Sequence, residues 1–290
     1  QTLRQRLFET VIVVAVRRHG RLIGTVPIER LLAAPSDAAL RAIMDADPPA
    51  VTSGADQEHA AWQAVRHGQS ALAVVDGDGR FLGVIPPQRI VAVLLEEHDE
   101  DIARLGGFLG STAPARAASM EPVTRRLWHR LPWLLIGLLG AMFAAVIVGG
   151  FEEELNAHVL IAFFVPGIVY LADAVGTQTE ALIIRGLSVG VGIRRVVGRE
   201  ILTGLVVGVL LAAVILPLTL LIWGDLAIAV AVAAALLAAS SIATIVAMAL
   251  PWLFHKLGQD PAFGSGPLAT VIQDLLSIAI YLMIARVAVS

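Results

Sequence analysis

Five long apolar stretches dominate the second half of this 290-residue chain and limit what it can fold into. A helix needs about 20 mostly apolar residues to cross the hydrocarbon core of a bilayer. Each stretch reaches that length, so the sequence predicts five transmembrane helices. Their expected bounds are residues 131–151, 157–184, 200–222, 226–254 and 267–287.

The charged residues are concentrated ahead of these stretches. Residues 1–126 hold 29 of the 45 charged side chains, and residues 127–290 hold the other 16. Overall the chain is 57% hydrophobic and 16% charged, whereas soluble domains average about 25% charged residues. This excludes a disordered chain, a nucleic-acid binder with a broad basic surface and an ordinary soluble enzyme. The absence of cysteine excludes disulfides and thiol catalysis.

The soluble part contains an internal repeat. Residues 20–27 (GRLIGTVP) are echoed by residues 79–86 (GRFLGVIP), and Arg30 and Arg89 keep the same offset of 59 residues. The Asp-Gly-Asp-Gly sequence at 76–79 is a hairpin turn signal. Each copy is therefore expected to form two strands and a helix. The expected strands before the repeated motif are 11–16 and 71–75, and the expected helices are 28–33, 56–66 and 88–95.

Basic residues lie in alternate loops between the apolar stretches. The positive-inside rule places these loops in the cytoplasm, whereas the opposite loops are acidic. The sequence therefore predicts a multi-pass protein of the inner or plasma membrane, with its N-terminal part in the cytoplasm and its C-terminus outside. The basic residues are Arg116, Arg125, Arg126, Arg130, Arg194, Arg195, Arg199, His255 and Lys256, and the acidic ones are Glu152, Glu153, Glu154 and Asp225.

Three carboxylates interrupt the predicted transmembrane helices. An ionised carboxylate near the bilayer centre costs roughly 2.5–3.5 kcal/mol, so it is expected where it faces water, an ion or a partner. Asp274 lies in the fifth span, and Asp173 and Glu180 lie two turns apart on one face of the second. For each acid a packing role is the alternative: a hydrogen bond between helices, or an ion pair of Glu180 with Arg185.

The spans offer oxygen ligands to a metal. The chain has no cysteine, and no histidine lies in the middle of a span, so soft metals lack their usual ligands. Carboxylates, carbonyls and water suit hard cations, and Mg²⁺ typically takes one or two carboxylates and keeps several waters. The Pro166-Gly167 pair is expected to bend or break the second span and to free backbone carbonyls.

The repeat in the soluble part resembles a pair of CBS domains in which the first copy has lost its opening strand. The alternative is a generic α/β repeat. CBS pairs are known as sensors that bind adenine nucleotides or ions. The resemblance therefore implies that an adenine nucleotide or Mg²⁺ binds this module. Gln1 stands where an initiator methionine is expected, which predicts a cut at the N-terminus.

The membrane part and the segment that leads into it resemble MgtE-type magnesium channels. Residues 258–274 (GQDPAFGSGPLATVIQD) look like the last-helix signature of that family, and residues 97–107 resemble the acidic segment that leaves its CBS module. Val165-Pro166, residues 176–178 (GTQ) and residues 183–187 (IIRGL) resemble its second helix. The matching order implies a CBS pair at 1–96, a connecting helix at 97–126 and a pore domain at 127–290. The match begins within the CBS pair, so the resemblance predicts a chain without the family's helical N-terminal domain.

The resemblance implies a homodimer with the ion path on its two-fold axis. Asp274 of each subunit is then expected to bind hydrated Mg²⁺ in that path. Asp173 is a second candidate metal ligand, and it stands where familiar members have glycine. Thr270, Gly266 and Pro267 match positions around the Asp274 site. The expected lining residues are Thr270, Gly266, Pro267, Gly176, Thr177, Tyr170 and Glu180.

The resemblance also implies a gate that closes when cytoplasmic Mg²⁺ bridges acidic residues of the CBS pair, the connecting helix and the pore. A solvated helix face is the alternative for the acidic run at 96–101. The implied partners are a second copy of the chain, the lipid bilayer and divalent cations, but no nucleic acid. The candidate regulatory ligands are Asp56, Glu58, Glu97, Glu100 and Asp101.

The sequence thus predicts an α-helical membrane protein with five transmembrane helices and an N-terminal cytoplasmic α/β CBS-pair module. Its predicted function is that of a magnesium channel or transporter gated by this module, and not that of an enzyme. The alternatives are a transporter of another divalent cation, a proton-coupled cation exchanger, a sensor that does not transport and a membrane-embedded metal-dependent enzyme.

Overall fold

A computed structural model describes residues 11–105, 122–188, 191–263 and 265–289 of the chain. The chain divides into two compact units, Gln1–His98 and Asp99–Ser290. Three sequence expectations fall wholly or partly outside the described residues. They are Arg116, residues 1–10 of the CBS pair predicted at 1–96, and residues 106–121 of the connecting segment predicted at 97–126.

The first unit is an α/β unit with two small sheets. Strands β1 and β2 pair antiparallel, whereas β3 pairs parallel with β4, and β4 pairs antiparallel with β5. Its core contains Val51, Leu72, Ile90 and the alanines on one face of α3. The elements in chain order are β1 Val13–Arg18, β2 Arg21–Pro27, α1 Ile28–Ala33, α2 Leu40–Ile43, β3 Ala50–Thr52, α3 Gln57–Arg66, β4 Leu72–Val75, β5 Phe81–Ile85 and α4 Pro87–Leu105, of which residues 99–105 belong to the second unit.

The two copies of the repeat meet through their equivalent turns. The backbone N–H of Leu22 donates to the carbonyl of Gly79 at 3.2 Å, and the N–H of Phe81 donates to the carbonyl of Gly20 at 3.0 Å. Because Leu22 and Phe81 are equivalent, as are Gly20 and Gly79, each copy gives the other the same hydrogen bond. The two turns therefore exchange a reciprocal pair of equivalent backbone hydrogen bonds.

The hairpin predicted at residues 76–79 is confirmed. Asp76 Oδ1 accepts the backbone N–H groups of Asp78 at 3.0 Å and of Arg80 at 2.8 Å. Gly79 has a φ of 77°, a left-handed conformation that glycine adopts without steric cost. The aspartate and the glycine thus define the turn between β4 and β5.

The second unit is helical. Five of its helices, among the described residues, are long and apolar enough to cross a membrane, which confirms the predicted number of spans. Helix α7 is continuous through Pro166, which excludes a break at Pro166-Gly167, while the bend expected as the other outcome stays a prediction. The helices are α5 Val123–Gly149, α6 Glu152–Ala157, α7 Leu160–Ser188, α8 Val197–Trp223, α9 Leu226–Lys256 and α10 Ser265–Val289, with a 3₁₀ turn at Ile193–Arg195.

Helix α9 forms the centre of the second unit. It packs against α7, α8 and α10, and many of its buried residues are alanines. Small residues let helix backbones approach closely in a membrane, where lipid is as apolar as the helices. A Cβ added at Gly204 on α8 would collide with the buried side chain of Thr244, and one at Gly208 would lie 3.0 Å from Leu237. These contacts bring α8 tightly against α9.

A two-residue turn joins α8 to α9. Gly224 has a φ of 70° and donates its N–H to the carbonyl of Leu220 at 2.9 Å, which ends α8. Asp225 Oδ1 then accepts the N–H of Ile228 at 3.0 Å and caps α9. The two helices are therefore antiparallel neighbours with almost no chain between them.

A buried tyrosine joins α10 to α7 and provides a testable contact. The hydroxyl of Tyr281 donates to the carbonyl of Ile161 at 2.7 Å, and Tyr281 is 1% exposed. Replacing Tyr281 with phenylalanine is expected to lower the free energy of unfolding by about 0.5–1.5 kcal/mol. The measurement is thermal unfolding in detergent. Tyr170→Phe is the matched control because Tyr170 is 71% exposed, and an equal effect of both substitutions would contradict the contact.

Candidate functional site

Helices α7 and α10 approach closely at Gly176. A Cβ added at Gly176 would collide with the amide group of Gln273, which is 2% exposed. Gln273 directly precedes Asp274 on α10. The contact between Gly176 and Gln273 therefore fixes where α10 sits against α7 beside the aspartate.

The structure brings the three intramembrane acids together along α7 and α10. Asp173 interacts electrostatically with Asp274 on the neighbouring helix and with Glu180 on its own helix. Asp274 and Asp173 are half-buried, whereas Glu180 is 3% exposed. In the part of the chain that is described, no three acidic or histidine side chains meet closely enough to hold a metal ion together. A cation bound here would need water or a second chain to complete its ligands.

The other predicted lining residues divide between two environments. Gly266, Pro267 and Thr270 are half-buried in the first two turns of α10. Tyr170 and Thr177 are exposed on α7, in contrast to the buried Gly176 and Glu180. Some of the residues predicted to line the ion path therefore lie inside the single chain, and others lie on its surface.

Ser265 is a polar residue of this region that the sequence analysis missed. It is the first residue of α10, it is fully buried, and its hydroxyl lies beside the Glu180 carboxyl group. The sequence signal that could have identified Ser265 is its position directly before the predicted lining residues Gly266 and Pro267. The interaction brings the start of α10 beside the inner acid of α7.

The acids predicted to be regulatory ligands have local partners. In the first unit, Asp56 Oδ1 accepts the N–H of His59 at 3.0 Å and caps α3, and Glu97 Oε1 accepts from Gln57 Nε2 at 2.6 Å. Glu58 lies in the first turn of α3, and Asp101 and Glu100 lie on α4. A metal bound by these residues would compete with bonds that already stabilise the fold.

A second contact missed by the sequence analysis joins α4 to the turn before α10. Arg104 forms ion pairs with both Glu100 and Asp260, and all three side chains are largely buried. Asp260 Oδ1 also accepts the N–H of Ala262 at 2.7 Å, so the same carboxylate shapes the turn. The end of α4 is thereby tied to the segment that leads into α10.

A double-mutant cycle tests this ion pair. Arg104→Met and Asp260→Asn are expected to show a coupling energy of about 0.5–3 kcal/mol, because the pair is shielded from water. Asparagine keeps the acceptor for Ala262 and removes only the charge. The free energy of unfolding in detergent is the measurement, and the exposed Arg89–Glu96 pair is the matched control, with an expected coupling of about 0.2–1 kcal/mol. Equal coupling in both pairs would contradict the burial argument.

Comparison with protein families identifies both parts of the chain. Residues 165–284 match the MgtE family, described as a divalent cation transporter, and residues 40–96 match the CBS domain. The chain carries an MgtE domain and a CBS domain. This confirms the resemblance to MgtE and to a CBS domain, while the first CBS copy predicted ahead of residue 40 stays a prediction. The MgtE match includes Asp173, Glu180 and Asp274, and the CBS match includes the second copy of the repeat.

Three curated relatives are similar over most of the chain, and each is named magnesium transporter MgtE. The protein of Bacillus subtilis is 32% identical over 79% of this chain and 51% of its own length. Those of Thermus thermophilus and Enterococcus faecalis are 31% and 30% identical over 93% and 94% of this chain, and 60% of each relative. The chain thus spans about half to three-fifths of their lengths. Their names agree with the prediction that the MgtE domain belongs to transporters rather than enzymes.

Two solved structures match a smaller part of the chain. One is the soluble part of a magnesium transporter, 27% identical over 31% of this chain and 35% of that chain, with a TM-score of 0.29. The other is the cytosolic domain of the Mg²⁺ channel MgtE in complex with ATP, 28% identical over 29% of this chain and 35% of that chain, with a TM-score of 0.28. At these TM-scores the matches carry no argument about the fold or ligands of this chain.

Proposed function

We propose that this chain transports Mg²⁺ across the membrane as a homodimer, with Asp274 of each subunit facing a shared path. The observation that carries the proposal is a half-buried carboxylate in the middle of α10, beside Asp173, within the MgtE match. The names of the relatives support magnesium as the substrate. The alternative of another divalent cation is kept because Asp173 adds a second acid next to Asp274.

The charge arrangement suits a hydrated divalent cation. Two Asp274 carboxylates that face each other across an aqueous path repel one another and attract a cation. Because Mg²⁺ keeps several of its waters and takes one or two carboxylates, one acid from each subunit is enough. Gly266, Pro267 and Thr270 precede Asp274 on the same helix by eight residues or fewer and complete the proposed lining on α10.

The exposed face of α7 supplies the rest of the proposed path. Tyr170 and Thr177 are exposed on a single chain, so a second subunit can cover them without any change in the fold. Gly176 is buried against Gln273 and acts by setting the distance between α7 and α10. Glu180 lies deeper, inside the chain.

We propose that the first unit is a cytoplasmic CBS pair that regulates transport. Asp56, Glu58, Glu97, Glu100 and Asp101 are the proposed ligands of regulatory Mg²⁺, and an adenine nucleotide is a proposed second ligand of the pair. The proposed orientation places the N-terminus in the cytoplasm and the C-terminus outside. The proposed boundaries remain residues 1–96 for the CBS pair, 97–126 for the connecting segment and 127–290 for the pore.

Flux into liposomes tests the proposed function. The purified chain is reconstituted, and Mg²⁺ entry is followed with a trapped fluorescent indicator, with protein-free liposomes as the control. Saturable entry that does not respond to an imposed pH gradient is expected. Entry driven by that gradient would support a cation exchanger, and binding of Mg²⁺ without entry would support a sensor. Parallel measurements with Mn²⁺, Co²⁺ and Ca²⁺ establish the cation preference.

A further inference from the structure

Buried oxygen atoms without hydrogen-bond partners cluster between α7 and α10. Five such side-chain atoms occur among the described residues, and three of them are Asp173 Oδ1, Glu180 Oε1 and Ser265 Oγ. The remaining two, on Thr219 and Ser240, belong to α8 and α9. Because buried polar groups in proteins nearly always have a partner, an unsatisfied cluster indicates a bound ion or water.

Within this cluster, Glu180 is the buried carboxyl group whose charge would cost the most free energy if left uncompensated. It is 3% exposed, and Ser265, whose hydroxyl faces it, is 0% exposed. The ion pair with Arg185 considered from the sequence is absent from the described residues, and the Arg185 side chain is exposed. A buried charge is costly unless an opposite charge or hydrogen bonds compensate for it. Among the described residues, Glu180 therefore has the neighbouring Ser265 hydroxyl but no opposite charge to compensate for an ionised carboxylate, and its Oε1 has no partner.

We propose that Glu180 and Ser265, assisted by Asp173, form a second binding position for a hard divalent cation inside each chain. Glu180 and Ser265 offer only oxygen atoms, the ligands that hard cations prefer. Asp173 lies two turns away on the same helix, too far to bind the same ion directly, but its negative charge adds to the attraction for a divalent cation. Mg²⁺ fits because it takes one or two carboxylates, while water and a hydroxyl fill other positions.

This position is distinct from Asp274. Ser265 precedes Asp274 by nine residues, which is about 13 Å along a helix. The charge of Asp173 acts on both positions, because Asp173 interacts electrostatically with Glu180 and with Asp274. A cation at Glu180 would tie the first turn of α10 to α7, next to the Gly266-Pro267 segment that leads to Asp274.

Infrared difference spectroscopy of the full chain in detergent tests the position, with Mg²⁺ as the probe. The experiment uses the Asp274→Asn background, so the Asp274 path does not contribute. Addition of Mg²⁺ is expected to shift a carboxylate band that disappears with Glu180→Gln. Ser265→Ala is expected to raise the Mg²⁺ concentration needed for the shift by about tenfold. The matched controls are Glu153→Gln, at an exposed acid on α6, and Ser277→Ala, at a buried serine on α10.

A band of protonated Glu180 that does not respond to Mg²⁺ would overturn the inference, because the carboxyl group would then be a neutral packing group. Glu180→Asp provides a second measurement if the glutamine variant does not fold. A weakened but detectable shift supports the position, and an unchanged one contradicts it. The inference takes its cation from the proposed function. Its failure is distinguishable because the band reports binding, whereas the liposome assay reports flux, so a shift without flux refutes transport alone.

Discussion

Replacing Asp274 with asparagine is expected to reduce Mg²⁺ entry into liposomes by about 100-fold or more. Loss of a residue that only supports a metal ligand already costs about 10- to 100-fold in affinity, and Asp274 is the proposed ligand itself. Asparagine has nearly the same shape as aspartate, so the packing of α10 is kept while one negative charge per subunit is removed. Entry is measured at equal amounts of reconstituted protein.

The matched control for this substitution is Asp225→Asn. It also removes one carboxylate from the second unit, but asparagine caps a helix about as well as aspartate, so α9 keeps its N-cap. Asp225→Asn is expected to leave Mg²⁺ entry at the wild-type rate. Wild-type entry in Asp274→Asn would refute the proposed path. A similar loss in both variants would indicate a general effect of charge.

Replacing Gly176 with valine is expected to lower both the stability and the flux. The new side chain would overlap the buried amide of Gln273, and β-branched residues have little freedom to turn away. Overpacking of this kind typically costs about 1–3 kcal/mol. Because Gln273 adjoins Asp274, the displaced α10 would also misplace the proposed ligand. We expect a lower thermal unfolding temperature in detergent and a flux reduced by about tenfold.

Gly167→Val is the matched control for this substitution. Gly167 lies on the same helix and is exposed, and a Cβ added there meets no atom within 4 Å. Combining Gly176→Val with Gln273→Ala should restore much of the unfolding temperature, because the shorter side chain makes room. If Gly176→Val and Gly167→Val behave alike, the close approach of α7 and α10 does not limit stability or transport.

The five spans and most strands and helices of the repeat could be predicted from the sequence because each leaves a local signal, whereas the short elements α2, β3 and α6 were not predicted. The span predicted at 226–254 is helix α9, Leu226–Lys256, and the helix predicted at 28–33 is α1, Ile28–Ala33. The first span was predicted to begin at residue 131, whereas α5 begins at Val123. A span defined by hydropathy leaves out the charged residues Arg125, Arg126 and Arg130, although the helix itself continues through them.

The intramembrane acids of the site could also be predicted, because a charge in an apolar stretch is rare. Their surroundings could not be predicted. Gly176 meets Gln273, and Arg104 meets Asp260, only because distant helices pack together, and neither pair has a periodic pattern in the sequence. Pro166 shows the opposite error. A local rule predicted a bend or a break, but a proline removes few backbone hydrogen bonds, and α7 continues as a helix through Pro166 without a break.

The two-residue turn between α8 and α9 also constrains how the protein is inserted during synthesis. With only Gly224 and Asp225 between them, the two helices cannot enter the bilayer as independent segments with separate choices of direction. They must insert as one hairpin whose two open ends stay on the same side. Arg194 and Arg195 before α8, Arg199 in its first turn and Lys256 at the end of α9 therefore act together as a single topological signal, and moving one group across the membrane requires moving the other.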